Sequence, residues 1–459
     1  MTHDASIAQS APARSAPPRV DYAVVGLGVT GHACVRWLRA RGASVLALDT
    51  RAAPPLLDAV RRDCPEVEII TGELDSAVLA RSTCIVLSPG LAADTPAIQA
   101  ARAAGCAVLG DIELFARAVD APVIAITGTN GKSTVTTLVA RMLAAAGYVV
   151  RAGGNLGTPA LDLLTGAAPD VYVLELSSFQ LELVSSLKPR VACILNVTPD
   201  HLDRYASFAD YRAAKVRILA QAQRVVLNAD DAVTAALAVS APRCDFTLAR
   251  PSAHGFGVRP TAGGDTLVGP LGDIAAVSAL RLAGRHNLAN ALAALAICAA
   301  FGAHGAALTD ALISFPGLEH RAEQVRTRRG VIFINDSKAT NSGAACATIH
   351  GLCHDRSGVL IAGGAAKEAD FSTFADTVVA HLHTVVLIGR AASLFAQVLA
   401  GRVPTLFAND MASAVAQAAG AAHAGDVVLL SPACASFDMF ANYAARGSAF
   451  RAAVAALSE

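Results

Sequence analysis

The stretch "AITGTNGKST" at residues 125–134 gathers the residue types that handle phosphate. The usual nucleotide loop reads G-x-x-x-x-G-K-[ST]. Counting back from Lys132, Gly131 is in place, but Ile126 holds the position of the first glycine and the nearest earlier glycine is Gly128. The run Gly128, Thr129, Asn130, Gly131, Lys132, Ser133, Thr134 joins an apolar stretch to a segment of helical spacing. Backbone N–H groups converge on phosphate oxygens at such a junction. Lys132 can neutralise β/γ-phosphate charge, and Ser133 or Thr134 can hold Mg²⁺. A turn needed only for its shape would not require G-K-S-T together, so the loop reads as an ATP cradle of shortened spacing.

A second glycine loop, "VVGLGVTG" at 24–31, follows one strand and opens a helix. An acid, Asp49, ends the next strand about 20 residues on, as the dinucleotide fingerprint requires. A diphosphate on a helix N-terminus is the functional reading; a tight turn without ligand is the plain one. The motif alone does not choose among nucleotides, and an NAD-dependent oxidoreductase stays open on it.

Acids follow at strand ends. Glu175 closes an apolar run, where a carboxylate is costly unless paired or metal-bound. Asp200 and His201, in "LNVTPDHLD", fall on the same sheet edge. Mg²⁺ prefers oxygen ligands, and a nucleotide site needs it. Lys215, in "YRAAKVR", reads from spacing as a solvated helix lysine.

These residues must be positioned by an α/β framework. Apolar runs at 22–25, 44–48, 85–87, 122–127, 171–176, 191–196, 331–335, 359–362, 385–388 and 427–430 alternate with alanine-rich helical stretches. Such runs form parallel sheets covered on both faces. Residues 105–121 read as a separator, 241–280 as a small β insertion, and "FPGLEHR" at 315–321 as a linker. The chain of 459 residues is expected to form a disordered tail (1–18) and three α/β domains at 19–110, 111–317 and 318–459.

Lys+Arg and Asp+Glu both total 37, so the net charge of zero offers no electrostatic attraction for nucleic acid or an anionic membrane. The cluster Arg326, Arg328, Arg329 reads as a solvated turn. The run at 291–303 is too short to span a bilayer, which takes about 20 residues, and reads as a buried helix. The ten cysteines show no C-x-x-C and suit reduced, buried thiols of a cytoplasmic protein.

Together with "LELSSFQLE", "ILNVTPDHLDRY", "HNLANALAAL", "INDSKATN" and "LLSPACASFDMF", the loop at 128–134 resembles the Mur ligase family from about residue 20 to the C-terminus. "GTNGKST" is shared across that superfamily; "SSFQLE", "DSKATN" and "SPACAS" are similar to its D-glutamate-adding branch. The resemblance implies that the first domain is Rossmann-like, the second a P-loop-type parallel sheet and the third Rossmann-like again, and that the chain is an ATP-dependent ligase that joins D-glutamate to UDP-N-acetylmuramoyl-L-alanine through an acyl phosphate, acting as a monomer in the cytoplasm. It implies a uridine diphosphate, not NAD, on the first loop, with Val29, Thr30, Asp49, Thr50, Arg51 and Ser88 around it and Asn155 and His201 further along the substrate. Lys132 would sit on the β/γ-phosphates. Two Mg²⁺ ions would be served by Ser133 and Glu175, and by His201 with Lys215 as a carbamate. Asn287 and Asn290 match adenine-side positions; Arg321 and Asp336 match ATP contacts. Lys338, Thr340, Lys367, Ser436 and Phe437 match the glutamate pocket. Phe437 stands where the family often has Leu, Tyr443 where it often has Phe, and "GGAAK" at 363–367 replaces a more polar turn. Sibling ligases that add alanine, diaminopimelate or folate glutamates fit the C-terminal motifs less well.

Overall fold

The computed structural model describes residues 19–282, 284–366 and 370–458. The chain separates into two compact units, Met1–Leu114 and Phe115–Glu459.

The first unit is a five-stranded parallel sheet in the order β3-β2-β1-β4-β5. Its strands are β1 (Val20–Val25), β2 (Val45–Asp49), β3 (Glu68–Thr71), β4 (Ser82–Leu87) and β5 (Ala107–Leu109). All five residues of β2, VLALD, are buried, as expected of a strand with neighbours on both edges and helices on both faces. The strand order reverses at β1, so the loop after β1 lies at the crevice where such sheets bind ligands. The segment 105–121, read as a separator, contains β5 and a helix, Asp111–Ala118. Three residues of strand give too little apolar pattern to be recognised.

The second unit holds two large sheets. Its first is six-stranded and parallel, in the order β11-β10-β9-β6-β8-β7. The strands are β6 (Val123–Thr127), β7 (Val150–Gly154), β8 (Val171–Glu175), β9 (Val191–Ile194), β10 (Val225–Asn228) and β11 (Arg243–Phe246). Here the order reverses about β6, the strand that feeds the shortened loop. The helix Lys132–Ala145 packs on this sheet through Val135, Leu138, Val139 and Met142, all fully buried. Beside it lies Arg285–Phe301, polar in its first turn and then apolar all round and buried from Ala291 to Cys298. This is the helix expected at 291–303, begun six residues earlier. The insertion expected over 241–280 is smaller: β12 (Gly257–Thr261), β13 (Gly264–Gly269) and β14 (Gly272–Ala276) form an antiparallel meander, while β11 belongs to the parallel sheet.

The last sheet runs β15-β16-β20-β17-β18-β19. It comprises β15 (Glu323–Arg328), β16 (Val331–Asn335), β17 (Gly358–Gly363), β18 (Thr384–Ile388), β19 (Thr405–Phe407) and β20 (Val427–Leu430). All pairings are parallel except β15 with β16. Of the three arginines expected in a solvated turn, Arg329 is exposed in the turn after β15, whereas Arg326 and Arg328 are on β15 itself. Arg326 donates to the carbonyls of Val454 and Leu457, and Arg328 to that of Ser458. They hold carbonyls at and just past the end of the helix Tyr443–Ala455. The segment 315–321 connects the helix Ala306–Ile313 to β15. Of the ten cysteines, nine are buried and Cys244 is half-buried; all are free. Among the described residues, no helix is long and apolar enough to cross a membrane.

Candidate active site

In the second unit the shortened loop is fixed from below by the strand beside it. Thr129 N–H donates to the carbonyl of Asn196 (3.0 Å), and Asn130 N–H to Asn196 Oδ1 (2.8 Å). Asn196 Nδ2 returns a bond to the Asn130 carbonyl. Thr129 Oγ1 meets the Tyr211 hydroxyl at 3.0 Å and accepts from the Thr198 N–H. Gly131 has φ +84, and a Cβ there would lie 2.4 Å from Asn290 Oδ1. Both the backbone angle and the close approach require glycine. Gly131 also caps the helix Lys132–Ala145 without a side-chain acceptor, and that helix has no acid in its first turn. Its free N–H groups and dipole are therefore left for an anion.

A cavity of about 470 Å³ opens above this loop. It is lined by Lys132, Ser133, Asn155, Glu175, His201 and Lys215, with Arg321, Lys338, Thr340 and Tyr443 closing it from the last sheet's side. Glu175, at the end of β8, is 2 % exposed. Its Oε1 accepts from Asn155 Nδ2 at 2.6 Å, whereas Oε2 is buried without a hydrogen-bond partner. A buried carboxylate oxygen left open is costly and suits a cation. Lys132 Nζ lies 2.8 Å from the carbonyls of Gly128 and Thr129.

Lys215, read from its spacing as solvated, is 2 % exposed and donates to the same Gly128 carbonyl at 2.8 Å. Burial drives its ammonium well below the ordinary lysine range, and the neighbouring Lys132 charge pushes it further; Asp200 and Glu175 oppose this. Burial likewise lowers Lys132, against Glu175 and Asp200 and with Arg321. An amine lowered in this way is available uncharged, the form that acts as a nucleophile. His201 adopts φ +57, and its ring stands 4.9 Å, centroid to centroid, from Phe179. It lies beyond the end of β9, on the loop carrying Asp200.

The last sheet reaches this cavity through two polar bridges. Arg321 Nη2 donates to Ser133 Oγ at 2.7 Å, and Asn341 Nδ2 to Asp200 Oδ2 at 2.9 Å. Asp336, at the end of β16, is buried with Oδ2 accepting from Ser431 and Oδ1 from the Ala322 N–H. Burial raises its carboxyl to about 6, against hydrogen bonds from Thr348, Ser431 and Ala322 and the Arg321 charge. An adjoining cavity of about 300 Å³ brings Asn287 and Asn290 together with Gly131, Thr134, Arg321 and Asp336. His286, not singled out from the sequence, lines it as well; burial holds its imidazole down to about 4, opposed by a hydrogen bond that the ring donates to the Ala347 backbone.

The glutamate-pocket expectations divide. Lys338 and Thr340 line the larger cavity, with Lys338 Nζ 3.9 Å over the Tyr443 ring. Ser436 is buried and Phe437 is 72 % exposed; neither is among the residues lining either cavity. The loop 431–442 places these two away from the open space that the resemblance assigned to them. Lys367 lies outside the described residues. A further cavity of about 540 Å³ is mainly apolar and sits under the β13–β14 hairpin, far in chemistry from these groups.

In the first unit, Asp49 is buried at the end of β2. Its Oδ2 accepts from the Leu27 N–H (2.6 Å), and both oxygens accept from the Arg51 guanidinium. Burial raises the carboxyl, but these bonds outweigh it and bring it down to about 2. Asp49 thus ties the glycine loop to β2. Ser88 Oγ donates to the Gly26 carbonyl. A Cβ on Gly31 would strike that same carbonyl at 1.8 Å, whereas one on Gly28 would meet nothing. Gly28 caps the helix Val29–Arg39 with no side-chain acceptor. Val29, 60 % exposed, and Thr30 stand at its start, with the exposed Thr50 and Arg51 beside them in sequence after β2. The first turn of this helix thus has neither a side-chain cap nor an acid.

Three family descriptions match in succession: "Mur ligase MurD-like, N-terminal domain" over 20–110, "Mur ligase middle domain" over 126–298 and "Mur ligase, glutamate ligase domain" over 320–434. A UDP-N-acetylmuramoylalanine--D-glutamate ligase of Pseudomonas syringae pv. tomato is 50% identical over 438 residues, covering 95% of this chain and 98% of its own. The chain belongs to the Mur ligase family. A relative of the same name from Nitrosococcus oceani is 48% identical, covering 94% of this chain and 95% of its own. Two solved Mur ligases share the fold: MurF of Thermotoga maritima in complex with ADP (TM-score 0.59, 16% identity, 95% of this chain and 96% of that one) and MurC of the same organism (TM-score 0.57, 18% identity, 94% and 98%). As a Mur ligase the chain has no use for the hydride chemistry that the first glycine loop left open.

Proposed function

We propose that this chain is the ATP-dependent ligase that joins D-glutamate to UDP-N-acetylmuramoyl-L-alanine in the cytoplasm, supplying a peptidoglycan precursor. The observation that carries the site reading is the shortened loop facing Glu175 Oε2, a buried oxygen without a partner, across a polar cavity. The relatives' shared name carries the choice of substrates. In this reading the first unit holds the uridine diphosphate on the 26–31 loop and the second unit performs the chemistry. Asn155 and His201 contact the substrate toward its L-alanyl end.

A carboxylate resists attack by an amine because it is anionic and has a poor leaving group. Transfer of the γ-phosphoryl from ATP to the L-alanyl carboxylate gives an acyl phosphate. The glutamate amine attacks it, and collapse of the tetrahedral adduct releases phosphate. Lys132 and the free N–H groups of the loop neutralise and align the phosphates, a contribution of position and charge. Asn287 and Asn290 face the adenine, and Arg321 and Asp336 hold the nucleotide from the other side. Lys338 and Thr340 receive glutamate, with Lys367, Ser436 and Phe437 completing that pocket.

Two Mg²⁺ ions fit the donors unequally. Glu175 Oε2 suits the first as it stands, and the Ser133 hydroxyl does once the Arg321 guanidinium releases it. His201 and Lys215 suit a second only if the Lys215 amine adds to CO₂, losing a proton to become an anionic carbamate. Bound there, the ions would draw charge from the transferring phosphoryl group.

The test is phosphate release from ATP with UDP-N-acetylmuramoyl-L-alanine and either D-glutamate, L-glutamate, D-aspartate or no amino acid. Release should depend on D-glutamate; equal release in all four mixtures would overturn the assignment. Lys132→Ala should reduce that release by at least about 100-fold, the scale of losing one positioned charge-stabilising group, and near wild-type turnover would refute the loop's role.

A further inference from the structure

We propose a transition-metal site at the opposite edge of the last sheet, formed by His383, His423 and Asp426. His383 precedes β18, and His423 and Asp426 form the turn before β20. All three therefore lie at strand N-terminal ends, whereas Asp336 and Ser431 serve the active site from C-terminal ends. A strand of four or five residues separates the two edges by about 15 Å.

The geometry is close to that of a bound ion. His383 Nε2 is 2.9 Å from Asp426 Oδ2, His423 Nδ1 is 3.4 Å from the same oxygen, and all three ligand atoms lie within 4.8 Å of one another. Ligands at about 2.0–2.2 Å around a tetrahedral zinc ion stand roughly 3.3–3.5 Å apart. Without an ion the His383–Asp426 contact is a hydrogen bond, which binding replaces, and the exposed His423 ring has room to turn toward that spacing. His383 is oriented from behind: its Nδ1 lies 3.0 Å from Thr384 Oγ1. An Nδ1–H given to that hydroxyl leaves the Nε2 lone pair toward the ion, the usual outer support of a metal-binding histidine. Asp426 is held by the His423 N–H at 2.7 Å. Two imidazoles and one carboxylate select zinc or a neighbouring transition ion over Mg²⁺. Three protein ligands on an exposed edge leave a fourth position for water or a substrate group.

The experiment is titration of the full-length protein with Zn²⁺ against a chromophoric chelator, with Co²⁺ substitution to read tetrahedral visible absorption. One equivalent should bind tightly in the wild type and in His201→Ala. In His423→Ala it should fall by about 100-fold or more. That side chain is exposed, and an unchanged circular dichroism spectrum and metal-free melting temperature will show that the fold is intact. Thr384→Val should keep the stoichiometry and weaken binding roughly ten-fold. Binding that survives His423→Ala, or that disappears in His201→Ala, would overturn the site, as would no tight equivalent in the wild type. Because the readout is metal binding, its failure would leave the ligase assignment untouched.

Discussion

Single residues in this chain are held by requirements that can be measured one at a time. Gly131 has both a left-handed backbone and a neighbour, Asn290, where a Cβ would go. Gly131→Ala should cost about 1–3 kcal/mol of stability from backbone strain and should lower kcat/KM for ATP, since relief of the clash moves the loop or Asn290. Urea unfolding with parallel kinetics checks both; wild-type values in each would remove the steric argument. Asp336 makes a pH-dependent contribution. Burial raises its carboxyl to about 6 from an ordinary 3.8, so the folded chain holds this proton more tightly than the unfolded chain. The contribution is fully present below about pH 4, is lost as pH rises through 6, and is then absent. Two pKa units correspond to about 3 kcal/mol. The difference between wild type and Asp336→Asn in unfolding free energy should therefore slope across pH 4 to 6 and flatten above it. A flat difference throughout would mean that Asp336 titrates as an ordinary carboxyl.

At the scale of elements, the sequence was most readable where burial is uniform. The apolar runs that became β2, β6, β9, β17 and β20 are strands with neighbours on both edges, and their composition follows from that. Edge strands were missed for the converse reason. β3 and β19 bury one face at most, and β7 carries three glycine or alanine residues in five. β15 hides behind its arginines, whose partners come from a helix more than 120 residues away. The phosphate loop was legible because its chemistry is local: strand, glycines, G-K-S-T and helix lie in one stretch. Lys215 was not, because a lysine becomes buried through elements distant in sequence, here Gly128 at a separation of 87 residues. The support given to the loop by Asn196 was also missed. Its carbonyl and both side-chain ends hold Thr129 and Asn130, so Asn196→Ala should leave the chain folded but raise the KM for ATP. A stability loss of about 1–3 kcal/mol is expected from the backbone donor left open. Unchanged ATP kinetics would show that the loop holds its shape alone.

At the scale of the whole second unit, the proposed reaction requires that two sheets act on one cavity. The central sheet supplies the phosphate loop and Glu175; the last sheet supplies Arg321, Lys338 and Thr340. Each sheet has its own hydrophobic core, so polar contacts across the cavity carry much of the register between their catalytic groups. The Asn341–Asp200 bridge is one of them. Asn341 has two duties: its Oδ1 caps the helix Ser342–Leu352 by accepting from Ala344 N–H, and its Nδ2 reaches Asp200. Asn341→Ser separates them, because serine keeps a capping oxygen but loses the donor to Asp200. If the bridge sets the register, Asn341→Ser should melt close to the wild type yet lose roughly ten-fold in kcat/KM for the amino acid, by about 1.4 kcal/mol of misplacement. Asp200→Ala should show a loss at least as large, and the double variant should be no worse than Asp200→Ala alone. Strictly additive losses would mean that the two residues act independently, and that the sheets are registered by other contacts, Arg321 with Ser133 foremost.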